Sequence, residues 1–327
     1  MAGTSGGVLW SALQMTGDHQ VGRAPQVDTI PPVDAALRDR LTAALSAAGL
    51  EPDQRVEVVP AEGGLSATVH RIRLADRTEL ALRQAGAGDF LHEPGAIDRE
   101  ANVMRAVAAQ AIPVPDVLAT GVTAGTEWAL QQWVPGEPGA MNSAPLSAAQ
   151  FETLAHVLVQ IHAAGTSDLP QMPMRLARLD EAIGDAPPPN EHGLRAHQVA
   201  SAWRCHIDDG ADTGLLHGDI WPGNLLWDGG DVTVIDWEGA SIGSRWSDVR
   251  SAALEFDLCH GTGEGARLIA AYESASGLAP SEPEVAFWDA VAVLRLAYLP
   301  DALEPGSPDA TQATRALEQA AARLTLP

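Results

Sequence analysis

Leu37, Leu41 and Leu45 recur at every fourth position after Val33, with Gly49 beyond them. That spacing draws one apolar face of a helix, and the glycine supplies its stop. Strand patterns follow: Val56 to Pro60, Thr68 to Leu74 and Glu79 to Gln84 roughly alternate apolar and polar residues. The Gly63-Gly64 and Asp76-Arg77 turns separate them, so the three segments predict a small antiparallel sheet. Ile97, Ala101, Met104 and Ala108 mark another helix, ending before Pro113 and Pro115, and Glu127 to Val134 reads as a further strand. The run Pro135-Gly136-Glu137-Pro138-Gly139 then breaks the chain.

Beyond that break the period turns helical. Ser147 and Gln150 form a capping box ahead of Phe151, Leu154, Leu158 and Ile161, which share one face. Residues 181 to 194, rich in Pro, Gly and charge, read as a loop. Glu264 to Ser276, Glu282 to Leu299 and Ala310 to Leu324 read as closing helices. Three segments result: a flexible leader over 1–30, an N-terminal lobe over 31–135 and a C-terminal lobe over 136–327. The leader lacks the basic start and apolar centre of a signal peptide, and Met15 is a second candidate start. No apolar run approaches the ~20 residues of a membrane span.

Composition narrows the function classes. The formal charge of -23 argues against a nucleic-acid or anionic-membrane surface and favours a cationic small-molecule partner. Acidic surfaces also simply keep proteins soluble. All 20 residues in the Lys+Arg count are arginines. Cys205 and Cys259 have no metal-ligand or CxxC spacing, which fits reduced thiols in a cytoplasmic protein, monomeric or homodimeric.

The chemistry concentrates in Leu215 to Trp237, LLHGDIWPGNLLWDGGDVTVIDW. A loop holding Asp219 and Asn224, followed by a hairpin delivering Asp236, brings two carboxylates and an amide oxygen toward one spot. Magnesium takes hard oxygen ligands and shares its shell with phosphate and water, so this set suits a metal-nucleotide site. Asp and Asn also cap turns. His217 with Asp219 would alternatively recruit a hydrolytic metal, although no companion cluster stands at suitable spacing.

HGDIWPGN followed by IDWE resembles the catalytic and metal-binding motifs of the aminoglycoside phosphotransferase family, distant relatives of protein kinases. The resemblance spans roughly residues 55 to 300. It implies an α+β, two-lobed protein-kinase-like fold with a small antiparallel-sheet N-lobe and a mainly helical C-lobe. It further implies an enzyme using ATP and Mg2+, with Asp219 as catalytic base, Asn224 and Asp236 as metal ligands and His217 as a brace for the loop. Asp248 would stabilise the fold.

By the same resemblance, Gly64 and Ser66 approach the ATP phosphates, although Gly-Gly between strands also makes an ordinary hairpin turn. Arg83 stands where the family places a phosphate-gripping lysine, with an exposed strand arginine as the bland alternative. Glu100 pairs with Arg83, or else is a solvated helix charge. Gln132 and Trp133 lie nearest the adenine on a hinge strand.

The implied acceptor is a hydroxyl of an aminoglycoside or another antibiotic. Asp180, Glu181, Glu191, Glu255 and Asp257 are candidates to line its pocket. Choline-, homoserine- and fructosamine-type metabolic kinases share the architecture. A noncatalytic nucleotide-binding regulator is the remaining alternative, motivated by the absent lysine.

Overall fold

The computed structural model describes residues 34–51, 57–61, 67–85, 94–140, 143–177, 179, 190–208 and 213–327. The expected leader over 1–30 lies outside the described residues, which open with α1 (Ala35–Ala47), whose N-cap Asp34 accepts a hydrogen bond from Leu37 N at 2.6 Å. Its buried Leu37, Leu41 and Leu45 face a sheet of β1 (Glu57–Pro60), β2 (Ala67–Arg73), β3 (Glu79–Ala85), β4 (Val117–Thr123) and β5 (Thr126–Gln132). The strands lie antiparallel in the order β1-β2-β3-β5-β4. Ile72, Leu80, Leu82, Trp128 and Leu130 complete this apolar core. Between β3 and β4 runs α2 (Ala96–Ala108), whose buried side chains include Ile97, Glu100, Ala101 and Met104.

After the short β6 (Glu137–Pro138) the chain turns mostly helical: α3 (Ala148–His162), α4 (Glu191–Trp203), α5 (Arg245–His260), α6 (Glu264–Ser276), α7 (Glu282–Leu296), the one-turn α8 (Leu299–Ala302) and α9 (Pro308–Arg323). The Ser147 and Gln150 capping box opens α3, and Ser281 with Glu284 forms a second one at α7. These helices bury a larger core that includes Phe151, Leu158, Phe256, Phe287 and Trp288. Four short strands thread between them. β7 (Thr213–Leu216) pairs with β10 (Ser241–Ser244), while β8 (Leu225–Asp228) and β9 (Asp231–Val234) form a hairpin through Gly229-Gly230. No helix among the described residues is long and apolar enough to cross a membrane.

Among the elements that depart from the sequence reading are β4, α4 and α5. β4 has no clean alternation because Gly121 interrupts it, and a Cβ there would come within 2.5 Å of the Trp128 ring. Of the expected loop over 181–194, residues 181–189 lie outside the described residues and 191–194 are helical, since α4 starts at Glu191 behind its N-cap Asn190, whose side chain accepts from Gly193 N at 2.8 Å. Helix α5 was not foreseen at all: 13 of its 16 residues are buried, polar ones included, so it carries no one-sided stripe.

Candidate active site

β7 delivers the chain into the loop from His217 to Asn224, which closes in a one-turn 3-10 helix, Pro222–Asn224. Gly218 sits at φ 86°, and a Cβ there would lie 2.1 Å from the Gly239 carbonyl oxygen. Only glycine fits that left-handed, crowded position. The buried Asp248 of α5 fixes the start of the loop, its Oδ2 accepting from His217 N at 2.7 Å and its Oδ1 from Gly218 N at 2.9 Å. Burial pushes the Asp248 carboxyl up. The hydrogen bond from His162, together with the charges of His162, His217 and Arg175, outweighs that push and holds it below the ordinary aspartate range.

His217 is fully buried, and burial lowers its pKa despite the carboxylates of Asp248, Asp219 and Asp236 nearby. The ring packs edge-on against Trp237 with centroids 4.7 Å apart. Its Nε2 donates to the Ile235 carbonyl at 3.0 Å, and its Nδ1 accepts from Asp219 N at 3.3 Å. Both nitrogens are therefore spent inside the protein, which removes the hydrolytic-metal alternative for this histidine.

Asn224 joins the two halves of the site. Its Nδ2 donates to the Asp219 carbonyl at 2.8 Å and to Asp219 Oδ2 at 3.0 Å, while its own carbonyl accepts from Ile235 N at 3.0 Å. The residue after Ile235 is Asp236, held in the left-handed region at φ 67° and ψ 65°. Asp tolerates that conformation better than most residues, at roughly 1–2 kcal/mol. Asp219, Asn224 and Asp236 are all buried side chains. Among the described residues no group of three or more His, Cys, Asp or Glu is arranged to hold a metal ion. The Asp236 carboxylate and the Asn224 amide oxygen, both on buried side chains, are nevertheless of the hard-oxygen kind that a magnesium site completed by phosphate and water takes.

Arg83, on β3, faces this cluster from the sheet. Its Nη2 donates to Asp236 Oδ1 at 2.7 Å and to Glu238 Oε2 at 3.1 Å, and its Nε lies 3.2 Å from Glu100 Oε2. The exposed-arginine and solvated-glutamate alternatives therefore fail: Arg83 has a side chain only 12% exposed and Glu100 only 3%. Glu238 was overlooked in the sequence, although IDWE contains it.

One guanidinium cannot neutralise three carboxylates, and burial pushes the Glu100 carboxyl up to about 7 although Arg83 pulls it down. The folded state then holds a proton that the unfolded chain, titrating near 4.5, has already released. Stability should fall as pH rises between those values, by on the order of 3 kcal/mol. Urea unfolding without divalent cations at about pH 5 and about pH 8 checks this, because Glu100→Gln should flatten the difference; equal slopes would refute it.

On the expected hinge strand, two backbone N–H groups are engaged within the protein. The N–H of Gln132 donates to Asp116 O at 2.8 Å and that of Trp133 to Glu79 O at 3.1 Å, so neither is available to a base. Gly64, Ser66, Asp180 and Glu181 lie outside the described residues. Of the acidic candidates for the acceptor pocket, Glu191 is exposed in the first turn of α4. Asp257 is buried and caps α6, its Oδ1 accepting from Gly263 N and Gly265 N. Glu255 is fully buried against Arg295, a residue the sequence did not mark.

Residues 57–288 match the model of the phosphotransferase enzyme family. The chain belongs to that family. Its fold is the family's protein-kinase-like α+β fold, with the antiparallel sheet in the N-terminal part and mostly helices after it. Among solved structures, an aminoglycoside-3'-phosphotransferase of type VIII is similar at TM-score 0.56 and 24% identity, covering 78% of this chain and 98% of that one. Amicoumacin kinase, in complex with AMP-PNP and Ca2+, is similar at TM-score 0.61 and 12% identity, covering 89% and 96%. A curated mouse protein (Mus musculus), acyl-CoA dehydrogenase family member 10, is 28% identical over 229 residues, 62% of this chain. The chain spans 21% of the length of that relative.

Proposed function

We propose that this phosphotransferase uses ATP and magnesium to phosphorylate a hydroxyl of a small molecule, with an aminoglycoside or another antibiotic as the acceptor class. The observation that carries the reading is Asn224, whose side chain holds Asp219 while its backbone holds the segment that presents Asp236. A likeness in fold to antibiotic kinases supports the acceptor class.

In this reading Asp219 orients the acceptor hydroxyl and takes its proton as the oxygen attacks the γ-phosphorus. The new oxygen–phosphorus bond forms, the bond to the β,γ-bridging oxygen breaks, and ADP leaves. Asn224 and Asp236 would hold magnesium, which when bound neutralises charge on the phosphates. Arg83 is placed to grip phosphate oxygens once it exchanges its carboxylate partners for them. A metabolic acceptor is the second reading, supported by a likeness in fold to a choline kinase from Cryptosporidium parvum at TM-score 0.54.

Release of ADP from ATP with magnesium, measured against separate pools of aminoglycosides, macrolides, choline, homoserine and sugar amines, tests the proposal. Turnover with one pool, lost in Asp219→Asn, is the expected result. Silence in every pool despite ATP binding would favour a noncatalytic nucleotide-binding regulator, and Arg83→Lys failing to awaken activity would strengthen that view.

A further inference from the structure

Arg295, in the last turn of α7, also reaches the loop from His217 to Asn224. Its Nη1 donates to the Gly218 carbonyl at 2.9 Å, and its Nη2 donates to Asp219 Oδ1 at 3.1 Å and to Glu255 Oε1 at 3.2 Å. The side chain is 10% exposed and that of Glu255 1%. Asp219 is thus gripped at both oxygens, Oδ1 by Arg295 and Oδ2 by Asn224.

We propose that Arg295 is the positioning residue for the Asp219 carboxylate, and that Glu255 holds Arg295 in place. The inference rests on the reading of Asp219 as the catalytic carboxylate. A carboxylate tied at one oxygen still turns about its Cβ–Cγ bond, whereas ties at both oxygens fix its plane. The bond to Gly218 O fastens the same guanidinium to the loop backbone, so the main chain and the carboxylate keep one geometry. Glu255 lies on α5, and Arg250 anchors α5 to α7 through Asp289, with Nε to Oδ1 at 2.6 Å. Burial opposes the charge on Arg295, but Asp219 and Glu255 outweigh it and raise its pKa. The guanidinium therefore stays charged at any pH of interest. Its planar fork spreads donors on two nitrogens over the three acceptors in one fixed geometry, which a compact lysine ammonium on a flexible stem does not reproduce.

The test compares Arg295→Met, Arg295→Lys and Asp219→Asn for ADP release with the acceptor pool that gives turnover. Arg295→Met leaves two buried carboxylates without their cation, so Arg295→Met/Glu255→Gln, which removes one stranded charge, is made beside it. Circular dichroism verifies that each is folded. The expected result is a fall in kcat of about 100-fold or more in either Met variant, with KM for ATP within about twofold. Arg295→Lys should recover roughly tenfold of that loss. A folded Met variant with wild-type kcat, or one whose whole deficit lies in KM for ATP, overturns the inference. If Asp219→Asn is inactive in the same assay, the reading of Asp219 survives that failure. If Asp219→Asn turns over like the wild type, the reading falls and this inference with it.

Discussion

Asp219→Asn is expected to lower kcat by about three orders of magnitude or more while leaving KM for ATP nearly unchanged, because it removes the group proposed to act on the attacking hydroxyl. The substitution keeps the shape of the side chain but turns one of its two acceptors into a donor. Both oxygens face donors, Arg295 Nη2 and Asn224 Nδ2, so one of these contacts becomes donor against donor. A stability loss of about 1–2 kcal/mol should follow, small enough to leave the protein folded. Steady-state kinetics with thermal unfolding checks both parts. Turnover like that of the wild type would remove Asp219 from the chemistry.

Arg83→Met should give the largest loss of stability. It strands Glu100, Asp236 and Glu238, two of them buried, and removing one partner from a buried ion pair costs about 3–5 kcal/mol. Arg83→Lys keeps the charge but not the fork, so its loss should be about half as large. Magnesium should restore part of the stability of Arg83→Met, since a cation at Asp236 replaces the missing one, and KM for ATP should rise about tenfold or more. Urea unfolding with and without magnesium reads the first effect. Identical midpoints for wild type and Arg83→Met would show that the cluster carries no net stability.

The sequence made the two strongest patterns visible. Leu37, Leu41 and Leu45 lie on one face of α1 because only that face meets the sheet. Asp219, Asn224 and Asp236 stand close together in the chain, so a loop and a two-glycine turn suffice to gather them. What stayed hidden lacked a local signal. Helix α5 is packed on all sides and shows no polar face, so periodicity cannot find it. Arg295 lies 76 residues from Asp219, and nothing near it distinguishes it from a surface arginine. Gln132 and Trp133 illustrate the converse limit: their place on a strand was legible, but which N–H groups the sheet consumes depends on Asp116 and Glu79, fixed only by the fold.

The guanidinium of Arg83 also has a consequence for labelling chemistry. Reagents that tag nucleotide sites by acylating a nearby amine need a nucleophile, and this chain contains no lysine. A guanidinium stays protonated and offers no lone pair for acyl transfer. If ATP binds beside Arg83 as proposed, nucleotide analogues carrying an activated ester would find no lysine there to mark. A survey that counts kinases by such tags would pass over this one, whereas dicarbonyl reagents aimed at arginine would find no lysine competing for them.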